Sequence, residues 1–266
     1  MLAALTLAAC GGDDGPSGPT VSDDRTIDVA LGYGPVVPLR ARLVGPLDGN
    51  AWVFTRPGAG RPTGPPVVFV HDWGATDPTT HGPWIAHLVA AGRTVVFPLY
   101  QTGQGDRPSR ALPQAATGIR NALELLGVSP RRAFYLGYGA GGALAADIAA
   151  SAGPLTLPRA AGVVAAYPSR TVRPLLTDEG SVRLPAPAGR RLAPGTPLLA
   201  LAGADDSPET RTVARTLVRA AGPTGRLRVI TDPRISEHTG PIQTDPVARR
   251  TFWATVDRLI DSEDDA

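Results

Sequence analysis

The run Arg132-Ala-Phe-Tyr-Leu-Gly-Tyr-Gly-Ala-Gly-Gly-Ala-Leu-Ala-Ala-Asp147 constrains this chain more than any other stretch. An apolar segment enters a glycine-packed turn, and an alanine-rich segment leaves it, which predicts a buried strand, a tight turn and a helix. The glycine spacing is that of the G-x-S-x-G turn, where a serine stands at a strained apex and flanking glycines avoid clashes with neighbouring strands. Here Gly137-Tyr138-Gly139-Ala140-Gly141 keeps the flanking glycines and puts Gly139 at the apex. The turn is present without its reacting atom.

A chain of 266 residues with 42% hydrophobic content can bury a sizeable core, and one α/β domain accounts for that length. The formal net charge is +2, and the 26 basic residues, all arginine, are scattered along the sequence. No basic run of the kind that binds nucleic acid is present, so no nucleic acid partner is expected. No cofactor motif is expected either.

The N-terminus carries a second signal. Leu2-Ala-Ala-Leu-Thr-Leu-Ala-Ala-Cys10 is a short apolar run that ends in the only cysteine, and Leu7-Ala8-Ala9-Cys10 resembles the lipobox of bacterial lipoproteins. The resemblance implies lipidation at Cys10, export and a membrane anchor in the cell envelope. The run is too short to span a bilayer and lacks a basic n-region, which points to a true start further upstream. The alternative is an apolar tail with a stray cysteine. Residues 11–26 open with Gly11-Gly-Asp-Asp-Gly-Pro-Ser-Gly-Pro19 and read as a flexible tether. The expected division is a signal remnant over 1–10, the tether over 11–26 and a folded domain over 27–262.

Within that domain, Thr26 to Val44 and Ala51 to Thr55 predict antiparallel opening strands. Strands are then expected at 66–71, 94–100, 132–137, 160–167, 196–202 and 226–230. Helices are expected at 81–91, 112–126, 141–150, 209–221 and 247–260. The irregular stretch 168–195, rich in arginine, proline and glycine, reads as a lid-like excursion. Strands that alternate with helices predict a mainly parallel central sheet with helices on both faces and functional loops at the strand C-terminal ends.

The block from Val67-Val-Phe-Val-His-Asp-Trp-Gly-Ala75 through Gly82-Pro-Trp to Phe97-Pro-Leu-Tyr-Gln101 reads strand, histidine loop, helix, strand. Together with the Gly139 turn, Gly203-Ala-Asp-Asp206 and His238, it resembles the α/β-hydrolase fold, closest to dienelactone-hydrolase and lipase-like exported esterases. The resemblance covers roughly Asp28 to Ile260. It implies ester hydrolysis by a nucleophile, acid and base in that chain order, each beyond a strand end. On these positions the acid is Asp206, with Asp205 as its competitor, and the base is His238. Outside the resemblance, a surface aspartate and a loop histidine are the plain alternatives.

Two parts of that machinery depart from the pattern. Gly139 cannot form an acyl-enzyme. The glycine usual after the strand-end histidine is Asp72, beside the oxyanion donors that the resemblance assigns to that loop and to Ala140; a carboxylate there repels a developing oxyanion. The chain is therefore expected to be a pseudoenzyme that binds a small ester-like ligand or a partner protein. The alternative is an exported hydrolase using a non-standard nucleophile or water activated by His238. A serine restored at 139 should then regain His238-dependent turnover. Trp73 and Tyr138 are candidate pocket residues, and Tyr138 is a weak nucleophile candidate because side chains beside such a turn normally pack. His71, Asp72, Asp77 and His81 lie close in sequence, but their spacing matches no metal pattern; His71 is expected to brace its loop.

Overall fold

The computed structural model describes residues 19–32, 34–101, 107–173, 180–187 and 191–264; the lipidation candidate Cys10 lies outside them, as does the first half of the stretch read as a tether, residues 11–18. Three antiparallel strands open the fold: β1 (Val21–Ala30), β2 (Val36–Val44) and β3 (Ala51–Thr55). The alternating part follows with β4 (Val67–Val70), α1 (Gly82–Ala90), β5 (Val95–Pro98), α2 (Ala111–Leu125), β6 (Arg132–Tyr138), α3 (Ala140–Ala150) and β7 (Arg159–Ala166). Two short strands, β8 (Thr171–Val172) and β9 (Val182–Arg183), pair with each other inside the excursion. β10 (Leu198–Gly203), α4 (Pro208–Ala221) and β11 (Gly225–Ile230) come next. The closing helix starts as α5 (Pro246–Ala248), passes through a π-helical turn at Arg249–Trp253 and ends as α6 (Ala254–Asp264).

Among the described residues one sheet runs β1-β2-β3-β5-β4-β6-β7-β10-β11. The strands from β5 to β11 pair in parallel, and β3 pairs antiparallel with both β2 and β5. The expected mainly parallel sheet is therefore observed. The boundary at 26 is corrected: β1 reaches back to Val21, because the register places Val21 opposite Val44 at the end of the hairpin. Pairing of residues 21–26 with Arg40 to Val44 of β2 forms the strand where composition reads as a tether, and Ile27 and Val29 continue it against the apolar core.

Helices α2, α3 and α4 cover one face through Ile119, Leu144, Ile148 and Val213. Helix α1 and the closing helix cover the other through Trp84, Ile85, Leu88, Phe252 and Trp253. Each large apolar side chain buried this way contributes roughly 1.5–3 kcal/mol. Strands β4 and β5 are buried at every position, which is why their sequences are continuous apolar runs.

The root of the excursion is tied to the body. The Arg170 guanidinium donates to both carboxylate oxygens of Asp147 on α3 at 2.7 and 2.8 Å, and both side chains are buried. The Arg170 N–H donates to Glu209 at the start of α4. Among the described residues no helix is long and apolar enough to cross a membrane.

Candidate active site

Four loops meet above the C-terminal ends of the parallel strands. β4 delivers His71 and Asp72, β6 delivers Gly139, β10 delivers Asp205 and Asp206, and the loop after β11 delivers His238. β4 and β6 are hydrogen-bonded neighbours, so Asp72 and Gly139 emerge side by side.

The turn at Gly139 has the geometry its sequence implied. Gly139 sits at φ +58°, ψ −127°, a conformation that strains any residue with a Cβ. A Cβ at Gly137 would overlap the Gly141 carbonyl, and one at Gly141 would overlap the Val70 and His71 carbonyls, so strand and helix close up only with glycine there. A Cβ at Gly139 would overlap the carboxyl group of Asp72.

That carboxyl group is the centre of the site. Its Oδ1 accepts from the backbone N–H of Ala140 at 2.6 Å and from its own neighbour Trp73 at 2.8 Å. These are the two N–H groups the resemblance assigned to an oxyanion. The sequence expectation of a carboxylate repelling an oxyanion is thus sharpened: Asp72 fills the position itself. A serine at 139 also cannot be restored alone, since its Cβ has no room beside Asp72.

Asp72 Oδ2 faces His238 Nε2 at 3.0 Å, and His238 Nδ1 faces Asp206 Oδ2 at 3.3 Å. The imidazole thus lies between two carboxylates, first Asp206 and then Asp72, which raise its pKa to about 10. At neutral pH it is an imidazolium that donates from both nitrogens. Asp206 is held by its own shell: Ser207 N–H donates at 2.6 Å and the Thr210 hydroxyl at 2.9 Å. Burial raises the Asp206 pKa, but the hydrogen bonds from His238, Ser207 and Thr210 outweigh it and leave it below the usual value. Asp205, left open by the sequence, turns away to accept from the buried Ser236 hydroxyl. The structure brings Asp206, not Asp205, to His238.

The remaining candidates serve this frame. The Tyr138 hydroxyl donates to the His238 carbonyl at 2.9 Å, and its ring packs 5.2 Å from the imidazole. Its side chain is a brace for the histidine loop, and burial raises its pKa, which disfavours a phenolate nucleophile. Trp73 donates its indole N–H to the Arg173 carbonyl at 3.0 Å, joining the Asp72 loop to the excursion. Nearby hydroxyls are engaged elsewhere: Ser169 bonds to Thr171 and Glu209, and Ser207 caps α4 through Thr210. His71 braces its loop as expected: its Nδ1 bonds the Asp72 carbonyl at 2.6 Å and its ring stacks on Tyr100 at 4.2 Å.

One contributor was absent from the sequence reading: the Thr210 hydroxyl, which donates to Asp206. Thr210 is one of several threonines in a helix, and nothing in its spacing marks it. The signal that existed was the paired departure, an aspartate at 72 with a glycine at 139.

Strand order, crossover helices and the position of these loops define an α/β-hydrolase fold. Solved esterases share it at low sequence identity. An esterase of the fungus Rhizomucor miehei superposes with a TM-score of 0.61 at 17% identity, over 94% of this chain and 86% of that one. Esterase LipW of Mycobacterium marinum gives 0.59 at 20%, over 90% and 82%. A hyperthermophilic esterase of the archaeon Pyrobaculum calidifontis gives 0.57 at 17%, over 92% and 85%. No protein-family model matches the chain, and no curated protein matches it.

Proposed function

We propose that this chain is an α/β-hydrolase-fold pseudoenzyme toward esters, exported and held at the membrane through a lipid on Cys10, whose site serves to bind a small ester-like ligand or a partner protein. The observation that carries the loss of acyl transfer is Asp72 Oδ1 within hydrogen-bond distance of Ala140 N–H and Trp73 N–H, over a glycine at the apex. An ester carbonyl finds neither a hydroxyl to attack it nor a free pair of donors to hold its oxyanion. His238 is also unsuited to general-base work on an ester, because two carboxylates keep its proton in place at neutral pH. The export and anchoring parts of the proposal rest on Leu7-Ala8-Ala9-Cys10 and the glycine-rich segment after it.

Hydrolysis of short-chain aryl esters by the full-length protein tests the first part. The expected result is no turnover above the uncatalysed rate at pH 7. Turnover that disappears in His238→Ala contradicts the proposal and establishes His238-activated water instead. Metabolic labelling with a fatty acid, compared with Cys10→Ala, tests the anchor; label that persists without Cys10 rejects it.

A further inference from the structure

We propose that Asp72 is a carboxylate nucleophile for small epoxides, with His238 as the proton donor and Asp206 as its orienting partner. The inference goes beyond the ester reading, which concerns a hydroxyl nucleophile at position 139. Three observations carry it. Asp72 Oδ1 is fixed by two backbone N–H groups while Oδ2 points to His238 Nε2. The Asp72 side chain is 21% exposed and that of His238 41%, so a small reagent reaches both from solvent. Asp206 holds the far nitrogen of the same ring.

This set of groups selects its electrophile. A carboxylate attacking an ester carbonyl must expel an alkoxide and form an anhydride, an uphill exchange. Attack on the sp3 carbon of a strained ring has no such problem, and the opening oxygen needs the proton that sits beside the nucleophile. In the first step an Asp72 oxygen forms a bond to an epoxide carbon, the ring C–O bond breaks with its electron pair, and His238 Nε2–H protonates that oxygen. The product is a hydroxyalkyl ester on Asp72 and a neutral imidazole.

Esterification removes the negative charge of Asp72, one of the two partners that raise the His238 pKa, and leaves Asp206 alone to orient the ring. The neutral Nε2 then takes a proton from water as the hydroxide adds to the Asp72 carboxyl carbon. The tetrahedral oxyanion forms on Oδ1, between the Ala140 and Trp73 N–H groups. Its collapse breaks the ester C–O bond, and the carboxyl proton passes to the departing alkoxide. The net reaction is epoxide plus water to diol, with Asp72 a carboxylate and His238 an imidazolium again.

The test uses full-length protein in excess over styrene oxide in heavy-oxygen water. The account expects diol whose first-turnover oxygens are light, and heavy oxygen in the peptide that carries Asp72. Asp72→Asn should lose at least about 100-fold in rate, the scale of a positioned catalytic group. A stable adduct mapped to Asp72 also supports the nucleophile. Absence of both diol and adduct overturns the proposal, as does heavy oxygen in the first-turnover diol. The isotope measurement needs no variant, so it stands even if Asp72→Asn folds poorly. Inertness toward aryl esters is read in a separate assay, so the two proposals fail separately.

Discussion

Around the loop after β4, three histidines stand under opposite control. On the solvent side, His238 sits between Asp72 and Asp206 and is held protonated to about pH 10. Behind the loop, His71 and His81 are sealed among Phe69, Phe97 and Tyr100. Burial lowers their pKa values to about 4 and about 3. His71 Nε2 and both His81 nitrogens have no hydrogen-bond partner among the described residues. The same side chain is thus a fixed cation on one side and a neutral aromatic disc on the other. What differs is whether the imidazole finds carboxylates or rings, and Asp206 and Asp72 together create the first environment.

The largest expected effect comes from dismantling the charged side. Gly139→Ser alone should show no esterase activity and lower stability, because its Cβ overlaps Asp72. Asp72→Gly alone should also be inert, having a free pair of donors but no nucleophile. Together, Asp72→Gly and Gly139→Ser should raise aryl-ester kcat/KM by about 10²–10⁴ over the parent, with dependence on His238. The double variant frees the two N–H groups and relieves His238 of one carboxylate, so the ring can act as a base. Additive behaviour of the two substitutions in this cycle would show that the sites are uncoupled.

The neutral side is probed by acid. The folded-state pKa values of His71 and His81 lie below the ordinary 6.5. Below 6.5 the unfolded chain therefore takes up protons that the folded chain refuses, and stability falls as pH drops toward 4 and 3. At about 1.4 kcal/mol per pKa unit, His71 costs on the order of 3 kcal/mol by pH 4 and His81 on the order of 5 kcal/mol by pH 3. Urea unfolding from pH 7 to 4 should show this loss, and His81→Leu should remove its share of it.

The charged side gives the opposite and smaller trend. The His238 pKa is raised, so its contribution is fully present below 6.5 and is lost as pH rises through about 10. Its side chain is 41% exposed, so solvent screening keeps the effect modest. Melting temperature should decline between pH 7 and 10, and Asp72→Asn should flatten that decline. The two limbs together place maximal stability near pH 6.5.

Much of this was legible in the sequence. The buried strands at 67–70 and 95–98 were readable because each is apolar throughout, and the Gly139 turn because only glycine fits its flanks. Asp206, with Asp205 as its competitor, and His238 could be named only through the resemblance to the α/β-hydrolase fold. Two things were hidden. The register of β1 against β2 overrode a composition that looked like linker, since pairing and one apolar side are long-range facts. The role of Asp72 depended on β4 lying beside β6, which turns an aspartate far from Gly139 in sequence into the group that fills its space. Sequence could mark both departures without showing that each requires the other.

The ring-nitrogen NMR titration of His238 tests the central claim most directly. With Asp72 and Asp206 on its two sides, His238 should remain doubly protonated through neutral pH, titrate near 10, and shift markedly lower in Asp72→Asn. A His238 that titrates near 6.5 in the parent, unchanged by Asp72→Asn, would contradict the placement of Asp72 against it.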